Sequence, residues 1–308
     1  MRRLNYERKD LGYSFALVTA VMVASALLLS LIFGTAESGW SFWLMQGLYT
    51  ALIGGSAFLY ATVSKTDFFA ASKLNKPPVL AHTLWGCGAV IFLIFCMSQI
   101  NSLFLDLIEA VGLNRPSVTL DSNLAGLIVC ACILPALAEE VVFRGTVAQS
   151  LYYNKNKLAA LAISGALFSL FHGNPAQTLH QFVLGAFLTL LVFRSGSLWT
   201  SVIVHFFNNA FVVALSYTPL DSDEFWDLAA NTKVALPLMI AGIVGFALCV
   251  FGYVKTTKSN WQVSAEGDGA EADAENKLKA LNDRKKSTSM LIVAVFVCAV
   301  LWVTQLLM

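Results

Sequence analysis

Charge is scarce in this sequence. Only 13% of its 308 residues are Asp, Glu, Lys or Arg, about half the usual share of a soluble globular domain. Hydrophobic residues make up 57% of the chain and the mean hydropathy is +0.69. Together these values indicate an integral membrane protein. A net charge of +1 offers no whole-chain attraction for nucleic acid, and no nucleic-acid partner is expected. The six cysteines, Cys87, Cys96, Cys130, Cys132, Cys249 and Cys298, all lie in or beside apolar segments, which argues against a secreted disulfide scaffold. Cys130 and Cys132 could suggest a metal pair, but residues two apart on a helix face different ways, and small buried hydrophobes are the simpler reading. No internal repeat is visible, which weakens an inverted-repeat transporter. There is no HExxH zinc-protease motif.

What the chain does have is long apolar runs, at about 12–34, 42–64, 79–100, 124–152, 158–173, 176–193, 197–216, 234–254 and 289–308. A helical span needs about 20 such residues, and the fifth and sixth runs are short. The expected fold is therefore all-α, a polytopic transmembrane bundle of eight or nine spans. The first run follows basic residues as a signal peptide would, but its apolar core is long and many spans follow, so it reads as a retained helix. Lysine and arginine bias sets orientation. Arg2, Arg3, Arg8 and Lys9 precede the first span; Lys65, Lys73 and Lys76 follow the second; Lys155 and Lys157 follow the fourth; and seven more basic residues lie between the last two. The alternate loops hold little base, and 217–233 is acidic. An inside N-terminus and an outside C-terminus fit this pattern, with the lipid bilayer of a prokaryotic plasma membrane as the expected setting. The long polar segment 255–288 reads as a cytoplasmic linker with a short helix around 270–284.

Against this apolar background the run ALAEEVVFR, carrying Glu139, Glu140 and Arg144, stands out. Insertion scales place a charged residue at the centre of a span at about 3 kcal/mol. Two further spans carry polar groups at helical spacing: FSLFH places Phe168 and His172 four apart, and HFFNN does the same for His205 and Asn209. Each has a structural reading. Glu140 and Arg144 could be an ion pair that lowers the insertion cost, His172 a neutral imidazole bonded to a backbone carbonyl, and Asn209 an interhelical hydrogen bond. His82 and His180 read as structural or wall residues. Taken together the polar groups suit amide hydrolysis, which needs a base for water, a proton donor for the leaving amine and donors for the oxyanion. One carboxylate with two histidines could also hold zinc, in which case Glu139, His172 and His205 would be the ligands.

These residues also carry a family resemblance. EEVVFR fits an EExxxR motif, FSLFH an FxxxH motif and HFFNN an HxxxN motif, in order and each in its own span. The chain resembles the CAAX protease and bacteriocin-processing (CPBP, or Abi) family of intramembrane proteases, which includes the Rce1-type prenyl endopeptidases. The resemblance covers about 124–216, so residues 1–123 and 217–308 are expected to be flanking transmembrane helices around that protease core. It implies an intramembrane endopeptidase acting on a membrane-associated protein or peptide. Glu139 would activate water, Glu140 and Arg144 would orient and balance it, His172 would help hold the water, and His205 and Asn209 would stabilise the oxyanion. No cofactor is expected from the family, although zinc remains open. The competing readings are a non-catalytic membrane immunity or partner protein and a proton-coupled transporter. One tension is depth: Glu139 lies about 15 residues into its span and His205 about 8 into its own, a difference of roughly 10 Å at about 1.5 Å per residue. A kink at Pro135 would relieve it.

Overall fold

The computed structural model describes residues 2–34, 39–114, 123–216, 232–261 and 274–307. Among them the backbone is helical apart from turns and one short bridge, in which Arg3 donates to the Lys65 carbonyl at 2.9 Å and accepts from Asp67 at 2.7 Å. The helices are α1 (Asp10–Phe33), α2 (Gly39–Val63), α3 (Leu80–Ala110), α4 (Leu124–Leu151), α5 (Lys157–Phe171), α6 (Thr178–Ser195), α7 (Leu198–Ser216), α8 (Thr232–Thr256) and α9 (Ala274–Leu307). Eight are long and apolar enough to cross a membrane, α5 being the shorter exception. The fold is therefore the all-α polytopic bundle expected from the hydropathy.

Two helices outrun the sequence reading. The third span continues ten residues past position 100, and the last begins at Ala274, so the short helix expected in the linker is continuous with the final span. The acidic loop at 217–231, Arg115 and the linker centre at 262–273 lie outside the described residues.

The expected alternation of basic and base-poor loops has a spatial counterpart. Hydrogen bonds tie the base-rich connections into one end of the bundle. Leu198 donates to the Lys73 carbonyl, Ser197 to the Lys76 carbonyl, Arg194 to the Val254 and Thr257 carbonyls, and Tyr152 to the Asn260 carbonyl. Tyr13 reaches the Asp283 carbonyl from α1. The loop after α3 meets the end of α9 at the other end, where Asn114 donates to the Leu306 carbonyl.

Packing follows from small residues at crossings, the usual means of helix association in lipid. Helices α5 and α6 form a hairpin whose arms touch at Gly165 and Gly185; a Cβ on Gly165 would lie 2.5 Å from the Phe182 carbonyl oxygen. Asn156 caps α5 by accepting from Ala159 at 3.0 Å, and Gly196 ends α6 in the left-handed region at φ 72°. With 15 residues, α5 is about 22 Å long, short of the roughly 30 Å hydrocarbon core. His172, at the hairpin tip, is thus held part-way through the bundle. One apolar core joins α1, α2, α4, α5, α6, α7 and α9 around Phe143, Phe168 and Leu198; a second joins α3, α6, α7 and α8 around Leu93, Leu188 and Tyr253. His82 belongs beside the second core, its Nδ1 2.9 Å from the Tyr253 hydroxyl.

Candidate active site

Helix α4 is not a plain α-helix. Residues Leu127–Ile133 and Glu140–Val147 are π-helical, and only Leu134–Glu139 between them, opening with Leu134 and Pro135, is α. Pro135 has no N–H to donate, and wider turns on either side accommodate the interruption. Pro135 itself lies in the α segment, and the π turns that flank it are a feature frequent at functional sites. Side chains satisfy carbonyls in the widened stretch: Thr146 donates to Val141 at 3.2 Å, and Gln149 to Arg144 at 2.9 Å.

Glu140 and Arg144 are completely buried and their side chains meet at 2.6 Å. Arg144 also donates to the Gly185 carbonyl at 3.3 Å and lies 4.0 Å above the Phe168 ring. The same Glu140 oxygen lies 2.9 Å from His205 Nδ1. One carboxylate thus holds an arginine from its own helix and a histidine from α7, and the arginine is stacked on the first residue of the FxxxH motif.

Glu139, on the next face, is treated differently. It is 18% exposed, and its Oε2 lies 3.6 Å from His172 Nε2 and 3.9 Å from His205 Nε2, with no direct hydrogen bond. Both rings are fixed from the opposite side. His172 Nδ1 is 2.8 Å from the Phe168 carbonyl, and His205 Nδ1 faces the Glu140 carboxylate. Both partners are acceptors, so each Nδ1 carries the proton, and a neutral ring then offers Nε2 as a bare acceptor. The Glu139 Oε2 and the two Nε2 atoms therefore converge on one spot with no direct hydrogen bond at the carboxylate oxygen.

The zinc alternative can be tested on this geometry. The donor chemistry suits zinc, but bonds of about 2.0–2.1 Å would place tetrahedral donors near 3.3 Å from one another. The observed separations are 3.6 and 3.9 Å, and among the described residues no group of three or more His, Cys, Asp or Glu side chains has metal-holding spacing. Those separations exceed the tetrahedral spacing by a few tenths of an ångström. A water molecule, with hydrogen bonds near 2.8 Å, reaches further than a zinc bond does.

The structure thus brings Glu139, Glu140, Arg144, His172 and His205 together from three helices, closing the depth gap anticipated from residue counting. Asn209 lies one turn beyond His205 on α7, with its amide donating to the Ala131 carbonyl in the first π stretch at 3.1 Å. Three further residues neighbour the site, of which His180 reads from the sequence as a structural or wall residue. Asn208 is buried, donates to Asn209 at 3.0 Å and leaves its own carbonyl oxygen unpaired. Tyr49, from α2, lies close enough to Glu139 to feel its charge. His180 lies within electrostatic reach of His172 and His205, so it belongs to the site's surroundings. Cys130 and Cys132 do face apart, the first toward the Trp43 carbonyl and the second into the core.

Comparison with known proteins falls on this same region. Residues 121–211, which contain all six positions, match the family described as Type II CAAX prenyl endopeptidase Rce1-like. A Bacillus subtilis (strain 168) protein named "Putative membrane peptidase YdiL" is 26% identical over 123 residues, 40% of this chain and 45% of that protein. The match therefore spans less than half the length of that relative. No solved structure matches the chain. Over this segment the chain is a relative of the CPBP and Rce1-type proteins.

Proposed function

We propose that this chain is an intramembrane endopeptidase that hydrolyses a peptide bond in a membrane-associated protein or peptide. One observation carries the reading: Glu139 Oε2 lies 3.6 and 3.9 Å from the Nε2 atoms of His172 and His205, with no direct hydrogen bond to that oxygen. A water between them brings two donors, enough for the carboxylate and one of the two imidazoles. Its protons point at carboxylate and imidazole, which leaves an oxygen lone pair free to attack a carbonyl carbon.

Glu139 takes the proton as the water attacks and returns it to the leaving amine. The buried Glu140 carboxylate faces His205 Nδ1 and so holds that ring in one tautomer and orientation. Arg144 in turn neutralises Glu140, so the second glutamate orients rather than reacts. Asn209 joins the oxyanion site if substrate displaces the Ala131 carbonyl from its amide. No step requires a metal or another cofactor. Loop charge favours an inside N-terminus and an outside C-terminus in a prokaryotic plasma membrane.

The test compares membranes containing wild-type protein with membranes containing Glu139→Gln by quantitative proteomics, followed by cleavage of any accumulating protein with purified enzyme. An uncut protein should accumulate with the variant and be cut by wild type alone. Equal cutting by purified Glu139→Gln and His172→Ala variants would refute the assignment.

A further inference from the structure

Two adjoining cavities at the base-rich end lie away from the glutamate site. The larger, about 1170 Å³, is enclosed by the N-terminal segment, the turn after α4 and the first turns of α9. Glu7, paired with Arg3 and Lys9, lines it, and it receives Arg8, Lys155 and Arg284 from those three segments. Among the described residues none of the three is in an ion pair, whereas Arg3 is engaged by Asp10 and Glu7, and Lys9 by Glu7. The smaller, about 540 Å³, shares Arg3 and Lys9 with the first and runs between α1 and α2 over Leu17, Leu59 and Val63. Leu17 is seven residues inside α1, about 10 Å along the axis, so this groove descends from the polar rim to hydrocarbon depth.

A soluble anion would use only the cationic chamber. The pairing of a three-cation chamber with an apolar groove that starts at its edge suits an amphiphile whose head is anionic and whose tail is a hydrocarbon chain. We propose that these cavities form a binding site for an anionic phospholipid, with the phosphate among Arg8, Lys155 and Arg284 and one acyl chain along Leu17, Leu59 and Val63. Basic pockets beside spans hold such headgroups by the same physics, each Lys or Arg near an anionic surface adding about 1 kcal/mol, or fivefold in affinity. The lipid would bridge α1, α4 and α9. The turn it touches follows Ser150 and Leu151 at the end of the helix that carries Glu139. The proposal stands whether or not the chain is a peptidase.

The experiment measures binding of phosphatidylglycerol and phosphatidylcholine to the purified full-length chain by native mass spectrometry and thermal unfolding. Phosphatidylglycerol should bind about a hundredfold more tightly, and the triple variant Arg8→Gln, Lys155→Gln, Arg284→Gln should lose most of that preference. All three side chains are exposed, so the triple variant should keep the wild-type unfolding midpoint in phosphatidylcholine. A control triple variant at the exposed Lys76, Lys258 and Lys279 should keep the preference. An undiminished preference in the first triple variant would overturn the site. Displacement of phosphatidylglycerol by equimolar glycerol 1-phosphate would overturn the lipid and leave a soluble-anion site.

Discussion

The buried Glu140–Arg144 pair supports a quantitative prediction about separable roles. Both side chains are fully excluded from solvent and meet at 2.6 Å. Removing one partner of such a pair leaves an uncompensated buried charge, at a cost of about 3–5 kcal/mol, whereas replacing both with neutral groups is often close to neutral. Glu140→Gln keeps an oxygen that can accept from Arg144 and His205 and removes only the charge, so it should fall in that range. Arg144→Met should cost at least as much, because it also removes the contact 4.0 Å above Phe168 and the bond to the Gly185 carbonyl, the ring contact alone being worth about 2 kcal/mol when desolvated. The double variant should be more stable than either single one.

Activity should not follow stability. In the double variant His205 still lacks the carboxylate that now lies 2.9 Å from its Nδ1, so cleavage should stay depressed by about 10²–10⁴-fold, the range for disabling a positioned acid–base group or its orienter. Detergent-phase unfolding of the four proteins, with cleavage by each, forms the assay. Singles within about 1 kcal/mol of wild type would refute the ion-pair account. A stable double variant with full activity would remove Glu140 from the chemistry.

Four further outcomes are expected. Glu139→Gln should lower cleavage by about 10²–10⁴-fold while unfolding stays near wild type, because Glu139 makes no direct bond at Oε2 in the fold; a large loss of stability would count against a free, poised carboxylate. Gly165→Leu should destabilise the chain by about 1–3 kcal/mol through overpacking, since even a Cβ meets the Phe182 carbonyl at 2.5 Å, and activity should fall as His172 is displaced; unchanged thermal unfolding would contradict the close hairpin contact. Chelation of divalent metals should leave cleavage within about twofold, given donor separations of 3.6 and 3.9 Å that are wider than the roughly 3.3 Å zinc needs; loss of activity restored by added zinc would overturn the metal-free reaction. Asn209→Ala should cost about 1 kcal/mol for the lost bond to Ala131 and slow cleavage further than that loss explains; an effect on stability alone would make Asn209 a packing residue.

The spans were legible because the cost of exposing polar groups to lipid is summed over some 20 residues, so an error at either end barely moves the total. The ends were not, and the cause shows in α3 and α9. Both continue as helix past their apolar runs, to Ala110 and back to Ala274, where water no longer penalises charge and hydropathy carries no signal. Local pairs were legible too. Four-residue spacing put Glu140 beside Arg144 and His172 beside the Phe168 carbonyl, and both contacts occur.

What a one-dimensional reading could not supply is the shape of α4. Counting residues at a fixed rise from the ends of the apolar runs left Glu139 and His205 about 10 Å apart in depth, whereas their side chains lie 3.9 Å apart. Two π-helical stretches flank the six-residue α segment ending at Glu139, and each changes the rise and the rotation of the turns beyond it. Adjacent glutamates divide their tasks because neighbouring helix positions face about 100° apart, one sealed with Arg144 and the other facing the two imidazole rings. The same limit hid Tyr49, whose helix shares no motif with the site, and the basic cavity, whose three cations lie far apart in the chain at positions 8, 155 and 284. In each case the deciding fact is which helices touch. Periodicity reports which face of a helix is apolar, but in lipid nearly every face is apolar, so small residues such as Gly165 and Gly185 choose the neighbours instead.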